Sequence, residues 1–296
     1  MAENLNSSFK ERVARRDGLL VPGAANALAA KIIEDTGFEA IYVTGAGISN
    51  MHLGAPDIGL ITLSELADHV GAMRDAVGLP LMVDADTGFG NALNTRRTIQ
   101  VLERAGANAI QLEDQVFPKR CGHFAGKAVI PTDEMVGKIK AAVDARVNGD
   151  LMIVARTDAR APNGFEDAME RAERYIEAGA DMTFVEAPLN KDELAAIARD
   201  LPVPQIVNMV AGGLTPLVGR AALAEMGFAF VLYANAALQA AIHAMQTVLG
   251  SLKENGSLDA VMGQIAGFEE RQRAVGKPLY DALEQKYATD PDQGET

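Results

Sequence analysis

Residues 103–110 read Glu-Arg-Ala-Gly-Ala-Asn-Ala-Ile, an amphipathic stretch that halts at a glycine and resumes within three residues as an apolar run. The same grammar recurs at 35–41 (Asp-Thr-Gly-Phe-Glu-Ala-Ile), 177–184 (Glu-Ala-Gly-Ala-Asp-Met-Thr-Phe) and 225–231 (Glu-Met-Gly-Phe-Ala-Phe-Val). A glycine just past a helix takes the left-handed backbone that closes it, and a short run apolar on both faces is a buried parallel strand. Further strand-like runs lie at Leu19–Val21, Leu81–Asp84, Leu151–Ala155 and Gln205–Asn208. Eight strands are therefore expected, near 19–22, 39–44, 80–84, 108–113, 151–156, 182–186, 203–208 and 228–233. Helical patterns separate them at Ala27–Glu34, Leu63–Ala76 (with Thr62 and Glu65 as a capping box), Asn94–Ala105 and Thr132–Arg146. This alternation predicts an α/β fold, a (β/α)8 TIM-type barrel over about 17–250. Two more helices are expected near 235–253 and 257–273, within a C-terminal helical stretch of about 251–288. No linker or low-complexity segment interrupts the chain, so residues 1–296 read as one domain.

Composition bounds the function. A chain of 296 residues at 48% hydrophobic can bury one large core. Its 27 basic and 40 acidic residues leave a net charge of −13, which argues against nucleic-acid or anionic-membrane partners. A single cysteine excludes an intrachain disulfide framework and suggests a reducing, cytoplasmic setting. Met1–Arg16 has no apolar segment of the kind a signal peptide needs, and no run approaches the roughly 18 apolar residues of a membrane span. The small polar residues Asp290–Thr296 read as a frayed tail.

Chemistry on such a barrel sits where strands meet the following helices. Four stretches fall there: Tyr42-Val-Thr-Gly-Ala-Gly47, Val83-Asp-Ala-Asp-Thr-Gly88, Glu113-Asp-Gln115 and Lys119-Arg-Cys-Gly-His123. Asp84 and Asp86 are two residues apart at one strand end, Glu113 ends the neighbouring strand, and Asp57 lies in the loop after strand two. A lone Asp-x-Asp more often caps a helix, but four carboxylates together form a set of hard oxygen donors. Such a set favours Mg2+, with Mn2+ as a substitute, over Zn2+.

Cys121 stands between Arg120 and His123, flanked by Lys119 and Lys127. Cationic neighbours lower a thiol's pKa, whereas a packing cysteine would sit among apolar residues. Gly122 and Gly126 suit a loop that closes over the site. Gly45-Ala46-Gly47 lacks the third glycine of a dinucleotide fingerprint, because Asn50 holds that place. It reads instead as a backbone-amide cradle, with Thr44, for a substrate carboxylate. Arg156, Glu186 and Asn208 end strands five, six and seven. An arginine there can grip a carboxylate by two parallel hydrogen bonds, although a surface ion pair fits equally well. His52, His69 and His243 have no evident partners in the sequence and receive no role.

These residues resemble the isocitrate lyase / phosphoenolpyruvate mutase superfamily over about 15–285. The likeness is strongest at Val83–Gly90, Glu113-Asp-Gln115, Lys119–His123 and Ala155-Arg-Thr-Asp158. Within that superfamily Lys-Arg-Cys-Gly-His resembles the lyase branch, which breaks a carbon–carbon bond, since the mutases have no cysteine there. The resemblance implies a barrel whose eighth helix is exchanged between subunits of a homotetramer. It also implies bound Mg2+, a closing loop and Cys121 as general acid/base. On this picture a 2-hydroxy acid is held by the metal, by the amides of Gly45 and Ala46, and by Arg156. Tyr42 or a metal-bound oxygen takes the hydroxyl proton, and the bond breaks by a retro-aldol step. Gly122, His123 and Asn208 then steady the departing enediolate while Cys121 protonates it.

Substrate choice turns on one position. Isocitrate and methylisocitrate lyases resemble one another in a hydroxyl residue two places after the strand-seven Asn, where this chain has Val210. A buried carboxylate facing Val210 would lose a hydrogen bond worth about 1–3 kcal/mol. Val210 thus favours a dicarboxylate with an alkyl group over a tricarboxylate. Val43-Thr-Gly-Ala-Gly47, His123-Phe-Ala-Gly-Lys127 and Asn208-Met-Val210 also look most like the 2,3-dimethylmalate lyase and petal-death-protein branch, although Tyr233-Ala-Asn235 resembles the mutase side. The expected activity is cleavage of 2,3-dimethylmalate or a related 2-alkylmalate to pyruvate or another 2-oxo acid, plus a short carboxylate such as propionate. 2-Methylisocitrate lyase is the nearest alternative, followed by oxaloacetate hydrolysis or decarboxylation. A nucleotide-binding oxidoreductase and a non-catalytic barrel are the remote ones.

Overall fold

The computed structural model describes residues 2–120 and 126–288. Eight parallel strands close into a barrel in chain order: β1 (Leu19–Ala24), β2 (Ile41–Val43), β3 (Leu81–Asp84), β4 (Ala109–Glu113), β5 (Met152–Thr157), β6 (Met182–Val185), β7 (Gln205–Asn208) and β8 (Phe230–Tyr233). The ring closes where β1 pairs with β8, Leu20 opposite Val231. Fold class and strand positions match the expectation.

Side chains alternate between two layers because successive residues of a strand face opposite ways. Tyr42, Met82, Ala109, Val154, Phe184, Ile206 and Phe230 fill the barrel interior. Val43, Val83, Ile110 and Ile153 pack outward against Leu66, Val70, Ile99, Leu102 and Ile139 of the surrounding helices. The lower end is plugged by an N-terminal helix, Ala2–Ala14, which the polar opening of the chain did not suggest. Its Phe9 and Val13 join the interior cluster, and Phe9 meets Phe230 edge-on with ring centroids 5.8 Å apart.

Local chemistry sets the helix ends. Leu63–Ala76 opens on the expected capping box of Thr62 and Glu65. Ala92–Ala105 begins two residues earlier than expected because Asn91 accepts from the Leu93 and Asn94 amides. It stops at Gly106, whose φ of +105° only glycine adopts at low cost.

By internal contacts the chain divides into two compact units, residues 1–239 and 240–296. In place of the helix expected near 257–273, there is a 3-10 turn at Asp259–Gln264 and two short helices, Phe268–Ala274 and Lys277–Tyr287. Left-handed Gly256 and Gly276 break the run. No helix among the described residues is long and apolar enough to cross a membrane.

Candidate active site

Asp84 ends β3 and the chain then turns sharply. Asp86 adopts φ +47°, a conformation that aspartate tolerates better than most residues. Its amide donates to Asp84 Oδ1 at 3.2 Å, and its carbonyl accepts from the Glu113 amide at 2.9 Å. The two acidic strand ends are thereby tied together. Gln111, on the same face of β4 as Glu113, donates to the Tyr42 hydroxyl at 3.1 Å and to Asp84 Oδ1 at 3.4 Å. After β2, Thr44 caps the short helix Gly45–Ile48 by accepting from the Gly47 amide at 3.2 Å. A side chain at Gly45 would lie 3.3 Å from Asp86 Oδ1 and 3.4 Å from Asp84 Oδ2. Glycine at this position lets the helix start approach both carboxylates.

The centre of the acidic cluster holds a lysine, which the sequence reading treated only as a neighbour of the thiol. Lys119 Nζ lies 2.5 Å from Asp57 Oδ1 and 2.7 Å from Asp86 Oδ1. Burial would lower the Lys119 pKa, but Asp86, Glu113 and Asp57 outweigh it and hold the ammonium charged. Burial pushes Glu113 well above the usual carboxylate range and Asp86 up to about 6. It also raises the Tyr42 phenol, with Asp84 adding to the effect. Without a bound cation the phenol therefore holds its proton near neutrality.

Among the described residues no three histidine, cysteine or acidic side chains converge closely enough to chelate a metal by themselves. The donors present nevertheless suit a hard cation that keeps part of its water shell. They are all oxygens, and buried Glu113 Oε1, Gln111 Oε1 and Asn208 Oδ1 have no hydrogen-bond partner among the described residues. Asp57, Asp84 and Glu113 line the cleft directly, and Asp57 and Asp86 flank Lys119.

Across the cleft, Arg156 of β5 is held by Asp158 through Nε at 2.9 Å and Nη2 at 3.0 Å. Glu113 Oε2 and Glu186 Oε2 lie 3.4 and 3.7 Å from its guanidinium nitrogens, and Phe184 lies beneath it at 5.1 Å. Asp158 occupies one edge of the guanidinium, leaving the N–H groups of Nη1 and one of Nη2 for a ligand.

Tyr42, Thr44, Ala46, Asp57, Asp84, Glu113, Arg156, Glu186 and Asn208 thus surround one cleft of about 410 Å³, counting space open to solvent. Gly45 and Asp86 stand directly beside it. Val210 is half-buried and outside the lining. Cys121, Gly122 and His123 lie outside the described residues. Lys119, Arg120 and Asn235 also line the cleft. Two-residue spacing, Gln111 to Glu113 within β4 and Arg156 to Asp158 at the end of β5, was the available signal for Gln111 and Asp158. His52 and His69, unpartnered in the sequence reading, meet edge-on with rings 5.0 Å apart.

Asp114 secures the back of the site. Its Oδ2 accepts from Thr157 Oγ1 at 2.7 Å, Tyr175 at 2.8 Å and Arg171 at 3.3 Å, while Oδ1 accepts from the Asp158 amide at 2.8 Å. Asp114→Ala should strand these buried donors and lower stability by about 3 kcal/mol. Urea unfolding with an unchanged slope and a lower midpoint would report it, and a loss under about 1 kcal/mol would contradict it.

Comparison with known proteins places this geometry in context. The family described as Phosphoenolpyruvate phosphomutase matches residues 9–253. A 2,3-dimethylmalate lyase of Eubacterium barkeri is 43% identical over 286 residues, covering 97% of this chain and 99% of the relative. A 2-methylisocitrate lyase of Aeropyrum pernix is 46% identical over 273 residues, covering 92% and 88%. A crystal structure of 2,3-dimethylmalate lyase, described as a PEP mutase/isocitrate lyase superfamily member, superposes with a TM-score of 0.91 at 31% identity, covering 99% and 98%. A phosphonopyruvate hydrolase in complex with oxalate and Mg2+ superposes with a TM-score of 0.86 at 30% identity, covering 95% and 98%.

Proposed function

The chain belongs to the PEP mutase/isocitrate lyase superfamily, and from that premise we propose that it is an Mg2+-dependent carbon–carbon lyase acting on 2,3-dimethylmalate or a similar 2-alkylmalate. The observation that carries the reading is the polarity of the cleft. Arg156 presents a guanidinium edge on one side, and the Asp84 and Glu113 carboxylates gather oxygen donors on the other. A dicarboxylate with a hydroxyl needs both ends. The near end-to-end similarity to a 2,3-dimethylmalate lyase supports the choice of substrate.

Asp84 would hold the metal, with Asp86, Glu113 and Asp57 acting through water. When bound, Mg2+ would draw the substrate carboxylate and hydroxyl oxygens together and acidify the hydroxyl. Arg156 and the amides of Gly45 and Ala46 orient the carboxylate. Tyr42, protonated, donates to a substrate oxygen. The hydroxyl proton passes to a carboxylate of the cluster, the carbon–carbon bond breaks, and its electron pair moves into the departing carboxylate as an enediolate. Asn208, Gly122 and His123 donate to that dianion, and Cys121 delivers a proton to its carbon. The products are a 2-oxo acid and a short carboxylate.

A second reading has one observation in its favour. Arg120 lines the cleft and Val210 does not, so a third carboxylate could find a cation. That favours 2-methylisocitrate, the substrate named for the Aeropyrum pernix relative. A panel of 2-hydroxy di- and tricarboxylates with Mg2+, coupled to detection of the 2-oxo acid, separates the two. We expect kcat/KM for dimethylmalate at least about tenfold above methylisocitrate, equivalent to one well-placed polar contact. The reverse order would transfer the assignment to the tricarboxylate. Exposed Leu249, Met262, Leu279, Tyr280 and Tyr287 in residues 240–296 support a homotetramer with an exchanged eighth helix. The single cysteine supports a cytoplasmic setting.

A further inference from the structure

Asp158 is fully buried and serves two cations from different parts of the chain. One is Arg156, two residues before it on β5, bound through both carboxylate oxygens at 2.9 and 3.0 Å. The other is Lys127, whose buried ammonium lies 2.7 Å from Asp158 Oδ1. Lys127 does not line the cleft. It lies two residues before Val129, which forms an antiparallel bridge with Gln115, and the Val116 amide donates to the Ala128 carbonyl at 2.8 Å. Gln115 also donates to the Arg120 carbonyl at 2.8 Å and accepts from its amide at 2.9 Å. Asp158 itself is fixed at its amide by Asp114.

From this arrangement we propose that Asp158 is a positioning residue that couples the seating of Lys127, beside the Gln115–Val129 bridge, to the aim of the Arg156 guanidinium. Oδ1 is shared by Lys127 Nζ and Arg156 Nη2, so neither cation can move without changing the field and geometry felt by the other. Withdrawal of Lys127 leaves Arg156 free to turn towards Glu113 or Glu186, both already within 4 Å. Seating Lys127 keeps the guanidinium edge directed into the cleft. The proposal rests on Arg156 gripping a ligand carboxylate, and it adds that a residue remote from that ligand controls the grip.

The test uses Lys127→Met, Lys127→Arg and Asp158→Asn in the full-length protein. Hydrogen exchange of 116–120 and 126–128 without ligand reads the seating of Lys127 and its neighbours, and calorimetric binding of oxalate with Mg2+ reads the grip. Lys127→Met and Asp158→Asn should both speed exchange and both weaken oxalate by about ten- to a hundred-fold, the loss of one charge-assisted contact. Lys127→Arg should restore oxalate binding to within about threefold of wild type. The double variant Lys127→Met/Asp158→Asn should be no worse than Asp158→Asn alone, because the two residues act on one path. If Lys127→Met speeds exchange yet leaves oxalate binding at the wild-type level, the coupling is wrong. If neither variant alters exchange, it is wrong without reference to any ligand. A wild type that binds no oxalate and cleaves no 2-hydroxy acid would instead overturn the functional reading. Asp158→Asn could fail to fold, and Lys127→Met alone then decides the matter.

Discussion

Stripping divalent metal with EDTA should reduce turnover of any 2-hydroxy dicarboxylate by at least about a thousandfold, and Mg2+ or Mn2+ should restore it. The expectation follows from the donor chemistry. Carboxylates at Asp84, Asp86 and Glu113 crowd one end of the cleft, with Lys119 among them and the Arg156 guanidinium 3.4 Å from Glu113. The dianionic substrate, and after cleavage a dianionic enediolate, must then be accommodated beside these carboxylates, which those two cations do not balance. Asp84→Ala should match metal removal in severity. Asp86→Ala and Glu113→Ala should lose about 10- to 100-fold if they act through water, the usual effect of removing an outer-shell partner. Mn2+ binding followed by electron paramagnetic resonance gives a second readout that does not need turnover. Retained Mn2+ affinity in Asp84→Ala, or full activity in a demetallated sample, would remove this ligand assignment.

Legibility of the molecule in its sequence followed the range of the forces involved. The glycine-stopped junctions at 37, 106, 179 and 227 are local, and each is a left-handed glycine in the structure. Barrel strands were equally plain, since apolar runs such as Leu81–Val83 are buried on both faces. The N-terminal helix escaped notice because few of its described apolar side chains, Phe9 and Val13, join the barrel-interior cluster. In the site, residues at strand ends were readable because register fixes where they point. Lys119 was not, since its place among Asp57 and Asp86 depends on how an irregular segment folds back over the barrel. Val210 was singled out by likeness to related lyases rather than by register; β7 ends at Asn208, and Val210 is not among the residues lining the cleft.

Cys121→Ser should fold and bind Mg2+ normally yet lose about 10²–10⁴ in turnover, the usual range for removing a general acid. The thiol is the only one in the chain, so modification chemistry reports on it without interference. Gln115 brackets both the amide and the carbonyl of Arg120, which fixes the backbone immediately before Cys121. A serine hydroxyl is a far weaker acid than a thiol, so the enediolate would collapse back to substrate more often than it is protonated. That loss belongs to the transition state and should appear in kcat with KM nearly unchanged. Iodoacetamide should inactivate the wild type, and a saturating 2-hydroxy dicarboxylate with Mg2+ should protect it if the segment closes over bound ligand. Turnover within about threefold of wild type in Cys121→Ser would mean that the proton comes from elsewhere. The lyase assignment would then yield to hydrolysis or decarboxylation, in which water or carbon dioxide loss completes the reaction without a thiol.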